Sequence, residues 1–88
     1  MTTLEGIEKL GLELKLPLLI LRGTKGFLAC GYINVEMTKK TGEACAIVRG
    51  VQDYDDMLEA TVVAVSEAAG ELGVQMGMKG ANALELFR

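Results

Sequence analysis

Histidine and tryptophan are missing altogether from this chain. Without imidazole there is no usual general base near neutral pH, and the commonest metal ligand is gone. A Ser-His-Asp or Cys-His device within one chain is excluded as well. Cysteine is scarce: Cys30 and Cys45 are the whole set, no CxxC occurs, and neither a zinc site nor thioredoxin-like chemistry is indicated. No metal and no cofactor is therefore expected. Basic residues are few and scattered, with Lys39-Lys40 the one adjacent pair, and the net charge is −3 with a pI near 4.9. That composition argues against nucleic acid, whose affinity rests on neutralised phosphates, and against an anionic membrane surface. The apolar run Leu18 to Leu21 is short, and no run along the chain approaches a membrane span. The start of the chain shows no basic segment followed by a long apolar one, so no signal peptide is read and the cytoplasm is the expected compartment.

Aromatic residues are sparse too, with two Phe and two Tyr. Half of the 88 residues are nonetheless hydrophobic, so Leu, Ile, Val, Met and Ala must build the core. A domain this small hides a modest share of its surface. Large exposed apolar patches are rare on monomers, so this composition leads us to expect a homo-oligomer.

The pattern along the chain predicts a small α+β domain. Leu10, Leu12, Leu14 and Leu16 alternate with polar residues or glycine, which predicts a strand with one buried face. Gly6 or Gly11 is a candidate bulge upstream. Pro17 marks a strand junction or edge. Leu18 to Leu21 reads as a strand covered on both faces, and Phe27 to Cys30 as its hairpin partner across the Arg22–Gly26 turn. Asn34 is placed to cap a short helix over 35–41. Ile33 and Met37 would anchor that helix, Lys39-Lys40 would suit its C-terminal dipole, and Gly42 would end it. Ala44 to Val48 gives the next strand, completing a β-α-β segment. Asp53 is a second cap, with Asp56 in a box-like spacing. Tyr54, Leu58, Val62, Val65, Ala69 and Leu72 follow at helical intervals, which predicts one long helix ended by Gly73. The β-branched residues Thr61, Val62, Val63 and Val65 leave a short strand as the alternative there. Val74 to Met78 is a connection or short edge strand, and Gly80 opens a last helix with Ala83, Leu84 and Phe87 inward.

Several of these residues also form an ordered set: Lys25-Gly26, the step Cys30-Gly31-Tyr32 with Ile33-Asn34, then Gly50, then Asp56, Leu58 and Ala60. The terminal group is Gly77, Met78, Gly80, Ala83 and Leu84. In order and spacing this set resembles the YunC-like family of bacterial and archaeal proteins, a domain family of unknown function, over nearly the whole chain. The resemblance implies one α+β domain with a largely antiparallel or mixed sheet and helices packed mainly on one face. It implies no established activity and supplies no catalytic residues.

Two candidate sites emerge from the residues. Cys30, Gly31, Tyr32 and Asn34 bring together a thiol, a backbone open to close approach and two hydrogen-bonding side chains, just before a helix start. Lys25, Lys39 or the helix dipole would have to activate that thiol. The competing reading makes Cys30 a small core hydrophobe, Gly31 a packing glycine and Asn34 a cap. Gly77, Lys79 and Gly80, with Gly73 upstream, precede a helix N-terminus in the manner of an anion site, although the spacing matches neither a P-loop nor a dinucleotide fingerprint. A helix end and tight connection explain the same glycines. Cys45 reads as core, the acidic group Asp53, Asp55, Asp56 and Glu59 as caps and a solvated face, and Met76 and Met78 as gap-fillers or interface residues. Three functions compete: a non-enzymatic, self-associating domain that binds a partner or small molecule; a thiol enzyme or redox-responsive protein using Cys30; and an anion-binding module at Gly73–Gly80.

Overall fold

Five strands lie in one sheet in the order of the sequence, so every strand neighbours its predecessor. The structure is a computed structural model that describes residues 4–88, except for the side chains of Met37, Lys39 and Lys40. The expected anchoring by Met37 and the roles given to Lys39 and Lys40 lie outside those described residues.

β1 (Glu8–Leu12), β2 (Leu18–Arg22) and β3 (Phe27–Ala29) form an antiparallel meander. The turn between β2 and β3 closes with the Gly23 N–H donating to the Gly26 carbonyl at 2.9 Å. Both glycines are needed there for space. A Cβ on Gly23 would stand 2.2 Å from the Phe87 carbonyl oxygen, and one on Gly26 would stand 2.6 Å from the Ala44 carbonyl oxygen. After β3 the chain turns through Cys30–Tyr32 into a 3-10 turn, Val35–Met37, that runs straight into α1 (Thr38–Thr41). The Asn34 side chain accepts from the Glu36 N–H at 2.8 Å, and Gly42 takes φ +75° behind the last turn. β4 (Cys45–Ile47) then pairs with β3 in parallel, which makes the two strands of the β-α-β segment direct neighbours.

The sheet divides its side chains between two cores. Leu19, Leu21, Leu28, Ala46 and Val48 face a larger one, with Met57, Ala69, Ala83, Leu84 and Phe87 from three helices described below. Ala29, Cys45 and Ile47 face a smaller one on the opposite side, where Ile33 and Val35 cover them. Phe87, Leu84, Met57, Leu28 and Leu21 are fully buried. At about 1.5–3 kcal/mol for each such side chain, the larger core dominates the fold's stabilisation.

Two expectations need correction. The stripe from Tyr54 to Leu72 is not one helix. α2 (Tyr54–Glu59) stops at Ala60, whose ψ of 156° is extended; β5 (Ala64–Val65) follows; and α3 (Glu67–Glu71) begins after it. The β-branched run finds backbone partners elsewhere: Val62 N–H donates to the Met78 carbonyl and Val63 N–H to the Ile47 carbonyl, both at 2.8 Å. β5 thus extends the sheet antiparallel to β4. The inward positions were legible, since Val62 and Ala69 of that stripe are buried, and it is the alternative, a short strand in the β-branched run, that the structure shows at Ala64–Val65. The second correction concerns the leucine alternation. β1 covers Glu8 to Leu12 only, bends follow at 14–16, and the leucines do not face a core: Leu10, Leu12, Leu14 and Leu16 are 37, 58, 48 and 61% exposed. The period of two is real at Leu10 and Leu12, on an edge strand whose face is open. Gly6 is no bulge either; it takes φ +78° in the turn where Ile7 N–H donates to the Leu4 carbonyl.

α4 (Gly80–Phe87) completes the fold, burying Gly80, Ala83, Leu84 and Phe87 as its sequence predicts. Helices α2, α3 and α4 thus supply one core, and the short 3-10 and α1 segment lies over the other face.

Candidate functional site

β3 and β4 are parallel neighbours, so their carboxyl ends open in the same direction. The chain leaves β3 through Cys30–Tyr32 and leaves β4 through Arg49–Gln52. Between these segments, closed by Leu16 and Pro17, lies a cleft of about 320 Å³. Ligands of open α/β sheets sit in the same place, beyond the carboxyl ends of parallel strands.

Cys30 is buried, and its Sγ accepts from the Leu19 N–H at 3.3 Å. Its own N–H donates to the Leu19 carbonyl, and its carbonyl accepts from the Ile33 N–H. The residue therefore extends the β2–β3 ladder and starts the following turn. Gly31 lies under Arg49: a Cβ there would stand 3.3 Å from the arginine Cγ. Tyr32 is half exposed, and its hydroxyl accepts from the Leu16 N–H at 3.4 Å, which ties its wall to the segment that closes the cleft. Arg49 is exposed and, among the described residues, is the single charged one lining the cleft. Gly50 beside it takes φ +73°, a conformation that favours glycine. Three of the four residues singled out from the sequence are thus brought together. Asn34 is not among them; its side chain is committed to the cap.

The opposite wall was not foreseen. Arg49, Val51 and Gln52 carry no motif of their own. The one available signal was Gly50, which ends a strand parallel to the one that ends at Cys30.

The second candidate, Gly77, Lys79 and Gly80, is built differently from an anion cradle. Gly77 N–H donates to the Val62 carbonyl, Met78 N–H to Gln75, and Gly80 N–H to Ala60 at 2.7 Å. Thr61 and Lys79 form an isolated antiparallel bridge, and the Lys79 ammonium lies 3.5 Å from Glu59. The Gly77, Met78 and Gly80 amides and the Lys79 ammonium thus each have a partner within the fold.

The acidic group behaves as caps. Asp53 accepts from the Asp56 N–H at 2.8 Å, and Asp56 from the Gln52 N–H at 3.0 Å. Among the described residues no three His, Cys, Asp or Glu side chains come together to hold a metal. Cys45 is fully buried on β4, and its thiol is pushed up from 9.0 to about 12, first by burial and then by the Glu43 carboxylate. Its N–H donates at 2.8 Å to Ser66 Oγ, which also accepts from Ala69 N–H and donates to the Glu43 carbonyl. Ser66 is a buried cap that the sequence reading missed. Among the described residues no helix is long and apolar enough to cross a membrane.

This architecture, a five-stranded mixed sheet with one parallel pair and a terminal helix tucked against it, recurs in known proteins. The chain belongs to the family described as a domain of unknown function, DUF1805, whose model matches residues 29–87. The uncharacterized protein YunC of Bacillus subtilis is 31% identical, over 92% of this chain and 87% of its own length. The crystal structure of TA1206, a protein of unknown function from Thermoplasma acidophilum, superposes with a TM-score of 0.81 at 30% identity, covering 93% of both chains.

Proposed function

We propose that the domain is a non-enzymatic, self-associating binding module that holds a small anionic molecule in the cleft between Cys30–Tyr32 and Arg49–Gln52. The observation that carries this reading is Arg49. Among the described residues it is the one charged side chain lining an otherwise mostly apolar cleft, it stands beyond the carboxyl ends of the parallel strands, and it has no side-chain partner. A guanidinium recognises carboxylate or phosphate through two parallel hydrogen bonds, while the Tyr32 ring and Val51 offer an apolar body contact. Among the described residues no carboxylate lines the cleft, and the Cys30 sulfur is occupied by the Leu19 N–H. That set suits retention of a ligand better than proton transfer. The same reading takes the domain to act in the cytoplasm, where the unpaired thiols of Cys30 and Cys45 stay reduced.

The test is an amide NMR titration with inorganic phosphate and a panel of mono- and dicarboxylates, beside native mass spectrometry of freshly purified protein. Binding should move the resonances of Gly31, Tyr32 and Gly50. Arg49→Gln should weaken the binding about tenfold or more while the remaining spectrum is kept. Shifts confined to other regions, or an affinity that Arg49→Gln leaves unchanged, would overturn the assignment.

A further inference from the structure

β1 is an edge of the sheet, with all five of its residues exposed. Its backbone orientation follows from its neighbour. The Leu19 N–H and carbonyl both point to Cys30, on the β3 side of β2. Backbone groups alternate in direction along a strand, so Leu18 and Ile20 point toward β1. Their partners, Leu12 and Leu10, point back at them. Lys9 and Gly11 therefore direct their N–H and carbonyl groups outward from the sheet, at an open edge that is a template for another strand.

The side chains of β1 fall on two faces. Lys9 and Gly11 lie on the side of Tyr54, whose ring is 6.0 Å from the lysine ammonium. Leu10 and Leu12 lie on the other side. There Leu10 opposes Ile20, Ile20 opposes Ala29, Ala29 opposes Ile47, and Ile47 opposes Ala64, so an apolar row crosses the whole sheet. The smaller core covers its middle, and the leucines leave its end at the edge bare.

We infer that β1 pairs antiparallel with β1 of a second copy about a two-fold axis at Gly11, with Lys9 opposite Glu13 and Leu10 opposite Leu12 on both sides of the axis. The inference rests on the self-association reading above and names its surface. Charge selects the register. An axis at Lys9 sets Lys9 on Lys9, and an axis at Leu12 sets Lys9 on Lys15; like charges directly opposite are destabilising. An axis at Leu10 leaves Lys9 opposite Gly11 with no charged partner. The axis at Gly11 gives two opposite-charge pairs and two leucine pairs, and it places the outward groups of Gly11 and Lys9 in hydrogen-bonding positions. The two apolar rows become one across a continuous sheet. Gly11 suits the axis because it has no side chain; its local reason is Tyr54, whose hydroxyl would stand 2.5 Å from a Cβ there.

Analytical ultracentrifugation of the full chain tests association, and charge exchange tests the pairing. The parent should dimerise. Lys9→Glu and Glu13→Lys should each raise the dissociation constant about tenfold, because two attractive pairs become two repulsive ones, and the double exchange should restore it. Cysteine pairing reads the register directly, since Cys30 and Cys45 are buried. Leu10→Cys mixed with Leu12→Cys should form disulfide-linked dimers under mild oxidation, while neither variant should link to itself. Linking by Leu10→Cys alone or by Leu12→Cys alone overturns the Gly11 axis, as does a dimer indifferent to both charge changes; in those cases self-association survives. A chain that stays monomeric at millimolar concentration, including one that takes up a different protein at this edge, overturns both.

Discussion

Replacing Gly80 by alanine tests the packing that closes the larger core. A Cβ at Gly80 would stand 1.9 Å from the Met57 carbonyl oxygen and 3.2 Å from Leu28 Cδ2. The first distance is more than about 1 Å short of normal contact. The obstacle is backbone of α2, which no rotamer change moves aside. α4 would have to lift from α2, stretching the 2.7 Å bond from Gly80 N–H to the Ala60 carbonyl and loosening the buried Ala83, Leu84 and Phe87. Overpacking costs about 1–3 kcal/mol where side chains can yield, so a loss of about 3 kcal/mol is expected here. Gly70 is the matched control. It lies within α3, is exposed, and a Cβ there meets nothing within 4 Å. Alanine at that position should gain about 0.5–1 kcal/mol through backbone entropy alone. One substitution at two glycines therefore carries opposite signs, and the variants should differ by about 4 kcal/mol, or on the order of 20 °C in Tm for a domain of this size. Urea unfolding with linear extrapolation measures both, at one protein concentration so that association does not enter. A Gly80→Ala protein as stable as its parent, or shifts of equal sign and size, would refute the reasoning.

Ser66→Ala should destabilise by about 2–3 kcal/mol in the same assay, more than an exposed cap, because it strips the buried Cys45 N–H of its acceptor as well as uncapping α3; a loss below about 0.5 kcal/mol would refute the shared role. The Cys45 thiol, held from 9.0 up to about 12, keeps its proton to higher pH in the folded chain than in the unfolded one. Its stabilisation is complete below about pH 9 and disappears as pH rises toward 12, a drop of order a few kcal/mol. Stability measured against pH for the parent and for Cys45→Ala should diverge in slope in that window, and parallel curves would count against the burial assigned to the thiol.

Legibility from the sequence followed the range of the interactions involved. Caps and turns are local, so Asn34, Asp53, Gly42 and Gly73 stand where their residue types put them. The stripe residues Tyr54, Leu58, Val62, Val65, Ala69 and Leu72 also lie in or against the larger core, since burial depends on which residues are apolar. Their conformation depended on carbonyls of Ile47 and Met78, which become neighbours only after folding. Alternation at Leu10 and Leu12 reports a strand and a shared face, but not whether anything covers that face. The cleft had one legible wall because Cys30-Gly31-Tyr32 is a contiguous step, while Arg49 joins it only through the parallel pairing of β3 with β4.

That division sharpens where function resides. Cys30 completes the β2–β3 ladder, Gly31 gives room to the arginine stem, and Asn34 caps the helix start, so these three are accounted for by the fold. The same holds for Gly77 and Gly80, whose amides meet the carbonyls of Val62 and Ala60. Tyr32 and Arg49 differ. Tyr32 is half exposed with one long hydrogen bond at its hydroxyl, and Arg49 is exposed with no side-chain partner among the described residues. A fold gains little from either placement, because exposed side chains away from caps and cores contribute within about 0.5 kcal/mol. An aromatic face and a guanidinium held at one cleft, by residues that are themselves structural, form an arrangement that stability does not explain. If the domain binds a ligand in this cleft, as proposed above, recognition falls to that pair, with the surrounding residues as its support.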